Sequence, residues 1–234
     1  MIISIKLATI PLFGILKSGK TSFLTTFGWW LSYNGYGDLE RESAKYISEL
    51  ITFVFKGRKV PLTKPKTLKE INFRLDFDKI PFINKTKRDR YFIKTTDISG
   101  LDYSYQDGPF LDLIDDLMGA IFLIDPLQHS HFQQKCAVSV LKLLQEKNVK
   151  IKNKPFLFLV SKYDLGHNIL SNTETQLLFY QQWADIRKYL EKEGAHVSEM
   201  IFISSLGGKS EDIRIPKPYN FEKIIEFFFN EGEI

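Results

Sequence analysis

The chain has 234 residues, 44% hydrophobic and 26% charged, a composition that suits a globular protein with a sizeable core and argues against a disordered or fibrous chain. Its net charge is +4 and its pI about 8.9, a mild excess spread along the chain, so no nucleic-acid partner is expected from charge alone. One cysteine, Cys136, excludes an intramolecular disulfide and points to a reducing compartment, and no apolar run reaches the length of a membrane span.

The first element is the apolar run Ile2 to Phe13. It has no small-residue cleavage site and leads straight into a glycine-bounded loop, so it reads as a core strand and not as a signal peptide. Pro11 is awkward in a central strand because it lacks an N–H, which predicts a strand that is short or bulged there. Next comes Gly14-Ile15-Leu16-Lys17-Ser18-Gly19-Lys20-Thr21, which fits the phosphate-binding pattern Gly, four residues, Gly-Lys-Thr. Gly14 and Gly19 let the backbone approach an anion where a Cβ would clash. The N–H groups around Lys17, Ser18 and Gly19 and on into Ser22 form a positive nest at a helix N-terminus. Lys20 would reach the β- and γ-phosphates, and the Thr21 hydroxyl would complete a Mg²⁺ shell.

Thr21 to Asn34 reads as a helix with Phe23, Phe27, Trp30 and Leu31 at intervals near three and four, broken by Asn34-Gly35-Tyr36-Gly37. Of the adjacent Trp29 and Trp30, which point in different directions on a helix, one belongs to the core and the other lies under an insertion or meets a partner. A second helix is predicted from about Leu39 to Phe55, with Ala44, Ile47, Leu50, Ile51 and Val54 on one stripe and Gly57 as its C-cap. Pro61 to Thr67 is irregular. Ile71 to Phe77 alternates apolar and polar residues, a strand with one wet face, and the short turn Asn84 to Arg90 makes it an antiparallel hairpin partner of Tyr91 to Thr96. Strands at Ala120–Ile124, Phe156–Val160 and Met200–Ile203 then alternate with helices at Phe132–Glu146, Glu174–Glu193 and Phe221–Phe229. That alternation implies a mainly parallel sheet covered on both faces. The basic stretches Lys85–Arg90 and Lys147–Lys154 read as solvated loops, His129-Ser130-His131 as a polar loop without a third metal ligand, and Asp115-Asp116 as a solvated helix face.

Three further short motifs each follow a strand. Asp97-Ile98-Ser99-Gly100 fits Asp-x-x-Gly, where the acid holds Mg²⁺, often through water, and the Gly100 N–H meets a γ-phosphate; taken alone it is equally a capped turn. Ser161-Lys162-Tyr163-Asp164 resembles the Asn/Thr-Lys-x-Asp guanine box. The Asp164 carboxylate would accept the N1–H and N2 amino hydrogens of guanine, a pattern adenine lacks, and the Lys162 stem would lie across the ring. Ser204-Ser205-Leu206-Gly207 stands where a Ser-Ala-type box contacts the guanine oxygen, with Ser205 in the Ala position.

With these motifs in this order, the sequence resembles the Ras-like P-loop GTPase family from about Ile5 to Phe229. The resemblance implies an α/β fold: a P-loop NTPase three-layer sandwich whose mainly parallel sheet of five or six strands has one antiparallel edge strand. It also implies a single domain over residues 1–234 with a helical insertion at about 36–60, GTP or GDP and Mg²⁺ as ligands, and γ-phosphate-driven switching. Thr67 is the first choice for the switch threonine that contacts metal and γ-phosphate, and Thr63 the second. Partners would be effectors and regulators such as activating or exchange factors. A cytoplasmic location is expected: residue 2 is Ile2 and the C-terminus carries no prenylation box, so any membrane contact would be peripheral. The helix ending in Gly57, the Pro61–Thr63 segment and Ile124-Asp125-Pro126 add a likeness to the GTPase domains of prokaryotic multi-gene conflict systems.

The sequence departs from that pattern in ways that bear on chemistry. Leu101 stands after Asp-x-x-Gly, where Ras-like enzymes carry the water-orienting Gln, so intrinsic hydrolysis should be slow or partner-assisted; Asp102 is a candidate substitute. Ser161 replaces the common Asn, which predicts weaker tethering of the phosphate loop. Two other readings stay open. In one the chain is an ATP-using enzyme with Asp125, at the end of the Ala120–Ile124 run, as the Mg²⁺-holding acid. In the other it is a nucleotide-binding interaction module without turnover.

Overall fold

A computed structural model describes residues 5–56, 58, 60–61, 68–83, 90–98, 114–163, 173–205 and 218–231. The first apolar run makes two short strands, β1 (Ile5–Thr9) and β2 (Leu12–Phe13), cut at Ile10 and Pro11, where proline has no N–H to give a neighbour. β1 pairs in parallel with β5 (Arg90–Ile98), and β2 in parallel with β6 (Ala120–Ile124). Across the cut, Ile10 N–H donates to Lys94 O at 2.8 Å on one side, and Ile121 N–H donates to Pro11 O at 3.0 Å on the other. Two four-stranded sheets thus share the path Ile5–Phe13: with β3 (Gly37–Leu39), β4 (Leu68–Asp76), β7 (Pro155–Val160) and β8 (His196–Phe202), the orders are β1-β5-β4-β3 and β2-β6-β7-β8.

In the first sheet β4 lies antiparallel to both β5 and β3. This corrects the expectation of an antiparallel edge strand. β4 is the strand that runs against the rest, but it is interior, because the chain between the two helices adds β3 outside it. β3 has no apolar alternation to announce it; it is held by its ladder and by an exposed Arg74–Asp38 ion pair. The second sheet is parallel throughout.

Helices α1 (Lys20–Tyr33) and α5 (Phe221–Glu226), the π turn Phe227–Glu231 that continues it, and α2 (Arg41–Phe55) form one core cluster with β1, β4, β5 and alternate residues of β6 and β7. Phe27 is central, with ring centroids 5.5–5.9 Å from Phe23, Trp30, Phe73 and Phe221. Such aromatic pairs add about 0.5–1.5 kcal/mol each beyond simple burial. Trp30 belongs to this core, while Trp29 is half-buried against Tyr33 and Phe55 at the α1–α2 junction. On α2 the buried stripe is Ser43, Ile47, Leu50, Ile51 and Val54, so Ser43 rather than Ala44 begins it; its hydroxyl accepts the Asn72 N–H at 2.9 Å. Phe227, Phe228 and Phe229 dock into the core.

Among the described residues the opposite face is covered over the second sheet only, by α3 (Ser130–Glu146) and α4 (Thr173–Lys192) around Phe122, Phe158 and Trp183. Half-buried Cys136 sits on α3. The other half of that face is wet: Leu7 is 63% exposed, and Lys94 pairs with Glu70 at 2.9 Å. Among the described residues no helix is long and apolar enough to cross a membrane.

Candidate functional site

The loop Gly14–Gly19 leaves the end of β2 and enters α1. Lys17 (φ 65°) and Gly19 (φ 96°) take the left-handed backbone that folds it into a cradle. A Cβ on Gly14 would lie 2.7 Å from Ser18 Oγ and 2.8 Å from Leu123 O, so only glycine fits. Gly19 N-caps α1, and neither a side-chain cap nor an acidic residue occupies the first turn, which contains Lys20, Thr21 and Ser22. Lys20 is buried and its ammonium donates to Gly14 O at 2.6 Å and Ile15 O at 2.9 Å, so the loop folds around its own cation. The Ser18 hydroxyl is fully buried and has no hydrogen-bond partner among the described residues. A glycine-bounded cradle, a buried cation hydrogen-bonded to two main-chain carbonyls and a buried serine hydroxyl form a donor set that fits a phosphate chain.

The second group of residues comes from the end of β7 and reaches this loop directly. Ser161 is buried, and its Oγ lies 2.8 Å from Ser18 O and 3.1 Å from Ile124 O. Serine therefore keeps the tether that the longer asparagine was expected to provide. Lys162 (φ 55°) donates from Nζ to Lys17 O at 2.9 Å and to Asp125 Oδ2 at 2.5 Å. Two non-glycine residues with left-handed backbone thus meet at one hydrogen bond, and each carries a local strain of about 1–2 kcal/mol. Tyr163 N–H donates to Ile203 O at 3.1 Å, and its ring packs on Phe202 and Tyr219. Buried Ser204 bridges to Tyr219, and Ser205 follows, half-buried, so the ends of β7 and β8 lie side by side.

The structure thus brings together Gly14, Lys17, Ser18, Gly19, Lys20, Thr21 and Ser22 with Ser161 and Lys162, and sets Ser204 and Ser205 beside the latter pair. Thr67, Gly100, Asp164 and Leu206, with Thr63, Leu101 and Asp102, fall outside the described residues. The backbone of Asp97 lies within β5, opposite Lys69 of β4, so the strand runs through the Asp instead of ending before it. His129 and His131 flank Phe132 with ring centroids 6.4 and 6.0 Å away, and no cluster of three metal-binding side chains occurs among the described residues.

The polar frame behind the loop was not legible in the motifs. Fully buried Asp125 accepts the Leu127 N–H at 3.0 Å, and Gln133 brackets the Asp125 backbone with two bonds of 2.8 Å. The available signal was an acid followed by proline at a strand end, with amide side chains three and eight residues on. The chain matches no family model and no curated protein sequence.

Proposed function

We propose that the protein is a GTP-binding switch that works with Mg²⁺, and that its hydrolysis is slow or partner-assisted. The observation that carries this reading is the direct junction of the two motifs: Ser161 Oγ on Ser18 O and Lys162 Nζ on Lys17 O. A phosphate site and a base-reading box must lie side by side to grip the two ends of one nucleotide, and a chance pair of turns 143 residues apart has no reason to do so.

On this reading the N–H groups of Lys17 to Ser22 hold the phosphates, and Lys20 exchanges the Gly14 and Ile15 carbonyls for phosphate oxygens. Thr21, Thr67 and Asp97 supply the metal shell. Asp164 reads guanine, with Ser204, Ser205 and Leu206 at its rim. Bound triphosphate would supply the γ-phosphate contact to which Thr67 and the Gly100–Gly108 segment respond, creating a surface for an effector. The P-loop NTPase three-layer fold is part of the proposal, and so is a single domain. Leu101 in place of the water-orienting Gln supports weak intrinsic turnover.

The ATP-using reading needs Asp125 as the metal acid. Asp125 already accepts hydrogen bonds from Leu127, Gln128 and Lys162, which favours the guanine reading. The test is a nucleotide panel with Mg²⁺ on the purified protein. GTP and GDP are expected to bind more tightly than ATP, with Lys20→Ala losing every nucleotide and Asp164→Ala losing only the preference for guanine. Equal or tighter binding of ATP would sink the assignment. Single-turnover assays with candidate partners separate a slow enzyme from a module without turnover.

A further inference from the structure

Asp125, at the end of β6, is fully buried, yet no part of the phosphate or base chemistry above uses it. Its carboxylate is committed on both oxygens. Oδ1 takes the Leu127 N–H at 3.0 Å; Oδ2 takes the Gln128 side-chain amide at 2.9 Å and the Lys162 ammonium at 2.5 Å. An isolated carboxylate without solvent is costly, so this one persists because it is paired and hydrogen-bonded.

The groups that hold Asp125 also hold the tip of the phosphate loop. The Lys162 ammonium donates to Lys17 O at 2.9 Å, and the Gln128 amide reaches Leu16 O at 3.2 Å. With its head fixed at two points and its backbone in the left-handed region, the Lys162 side chain is stretched between the ends of β6 and β7 and the loop, and it remains 30% exposed. A lysine stem is flexible, and ordering it before a ligand arrives removes that entropic cost from binding.

We propose that Asp125 is a positioning residue for base recognition. It sets the Lys162 stem as a fixed apolar rail for one face of the nucleobase and acts on the nucleotide only through Lys162. It is not a metal ligand. The inference rests on the guanine-nucleotide reading and names how that site grips the base end.

The experiment is a double-mutant cycle by calorimetry: wild type, Asp125→Asn, Lys162→Met and the double variant, each titrated with GTP and with inorganic tripolyphosphate in the presence and absence of Mg²⁺. Tripolyphosphate has no base, so it reports on the loop alone and shows that each variant is folded. Asp125→Asn is expected to weaken GTP about ten- to hundredfold, the range for hydrogen bonds to charged groups, and to leave tripolyphosphate within about threefold; Lys162→Met, which also removes the donor to Lys17 O, is expected to weaken GTP at least as much and tripolyphosphate by less than GTP. The double variant should be no weaker than Lys162→Met alone, because the two residues act as one unit. Additive losses would overturn the proposal, as would GTP affinity unchanged by Asp125→Asn. A parallel loss of tripolyphosphate in Asp125→Asn would make Asp125 a support of the whole loop, and a lost Mg²⁺ dependence would make it a metal ligand; either result also overturns it. A failure of the guanine reading itself is distinguishable, since the wild-type protein would then bind tripolyphosphate but not prefer GTP over ATP.

Discussion

Replacing Ser161 by alanine removes the tether between the end of β7 and the phosphate loop, and the cost follows from counting protons. The hydroxyl has one hydrogen to share between Ser18 O at 2.8 Å and Ile124 O at 3.1 Å. Ile124 O also receives the Ser161 main-chain N–H at 2.7 Å, so it stays satisfied in the variant. Ser18 O loses its side-chain donor in a site where Ser161 is only 2% exposed. A buried acceptor left without its donor costs about 1–3 kcal/mol, and the lower half of that range applies because no charge is involved. At about 1–2 kcal/mol the melting temperature should fall by roughly 2–8 °C for a chain of this size. If the whole cost falls on the nucleotide-bound state, release should speed up about 5–30-fold. Thermal melts with and without GTP and Mg²⁺, together with stopped-flow release of a fluorescent guanine nucleotide, measure both. A Ser161→Ala protein that melts and releases nucleotide like the wild type would refute the tether.

Gly14→Ala should weaken tripolyphosphate and GTP about tenfold or more by calorimetry, since the new methyl meets Ser18 Oγ at 2.7 Å and the β6 backbone at Leu123 O at 2.8 Å; unchanged affinity would mean the cradle is looser than it looks. Phe27→Ala should cost about 3–5 kcal/mol in urea unfolding, because Phe27 stands among four other aromatic rings, whereas a loss under about 1 kcal/mol would contradict its place in the core. Glu70→Gln should cost less than about 1 kcal/mol at neutral pH, since the pair with Lys94 at 2.9 Å is exposed to solvent. The Lys94 hydrogen bond holds the Glu70 carboxyl below its ordinary value of 4.5, so the pair's contribution is present above that pH and fades as pH falls through the lowered value. Melts of the two proteins should accordingly converge in acid, and a gap that widened there would reverse the sign.

How far the sequence speaks depends on whether a feature is local. Ala120–Ile124 and Phe156–Val160 are continuous apolar runs because both faces of those strands are buried, and Ile71–Phe77 alternates because one face is wet. The loop from Gly14 to Thr21 is likewise legible, since its backbone calls for glycine at 14 and 19. β3 is different: Gly37-Asp38-Leu39 is extended because β4 offers an unpaired edge, which no three-residue pattern announces. The early start of β8 at His196 has the same cause, with polar residues recruited by the β7 ladder. Of the site, the motif residues could be named, but the contacts joining Ser161 to Ser18 and Lys162 to Lys17 depend on tertiary placement. Asp125 shows the limit most clearly. A strand-ending acid is equally a metal ligand or an ion-pair partner until Lys162 is seen beside it.

The cut at Pro11 has a mechanical consequence. The phosphate loop hangs from β2, whose ladder goes to β6, and it is laced to the β6–β7 side through Ser161, Lys162 and Gln128. Asp97 rides on β5, whose parallel partner is β1, across the break. A displacement of β5 or β4 therefore reaches the loop's frame through Ile10 and Pro11, or through α1 where Phe27 meets Phe73, and not along an unbroken ladder. The central strand is a seam between two sheets: on the proposed reading, the residues that would sense a γ-phosphate lie on one side of it and the loop that would hold the nucleotide on the other.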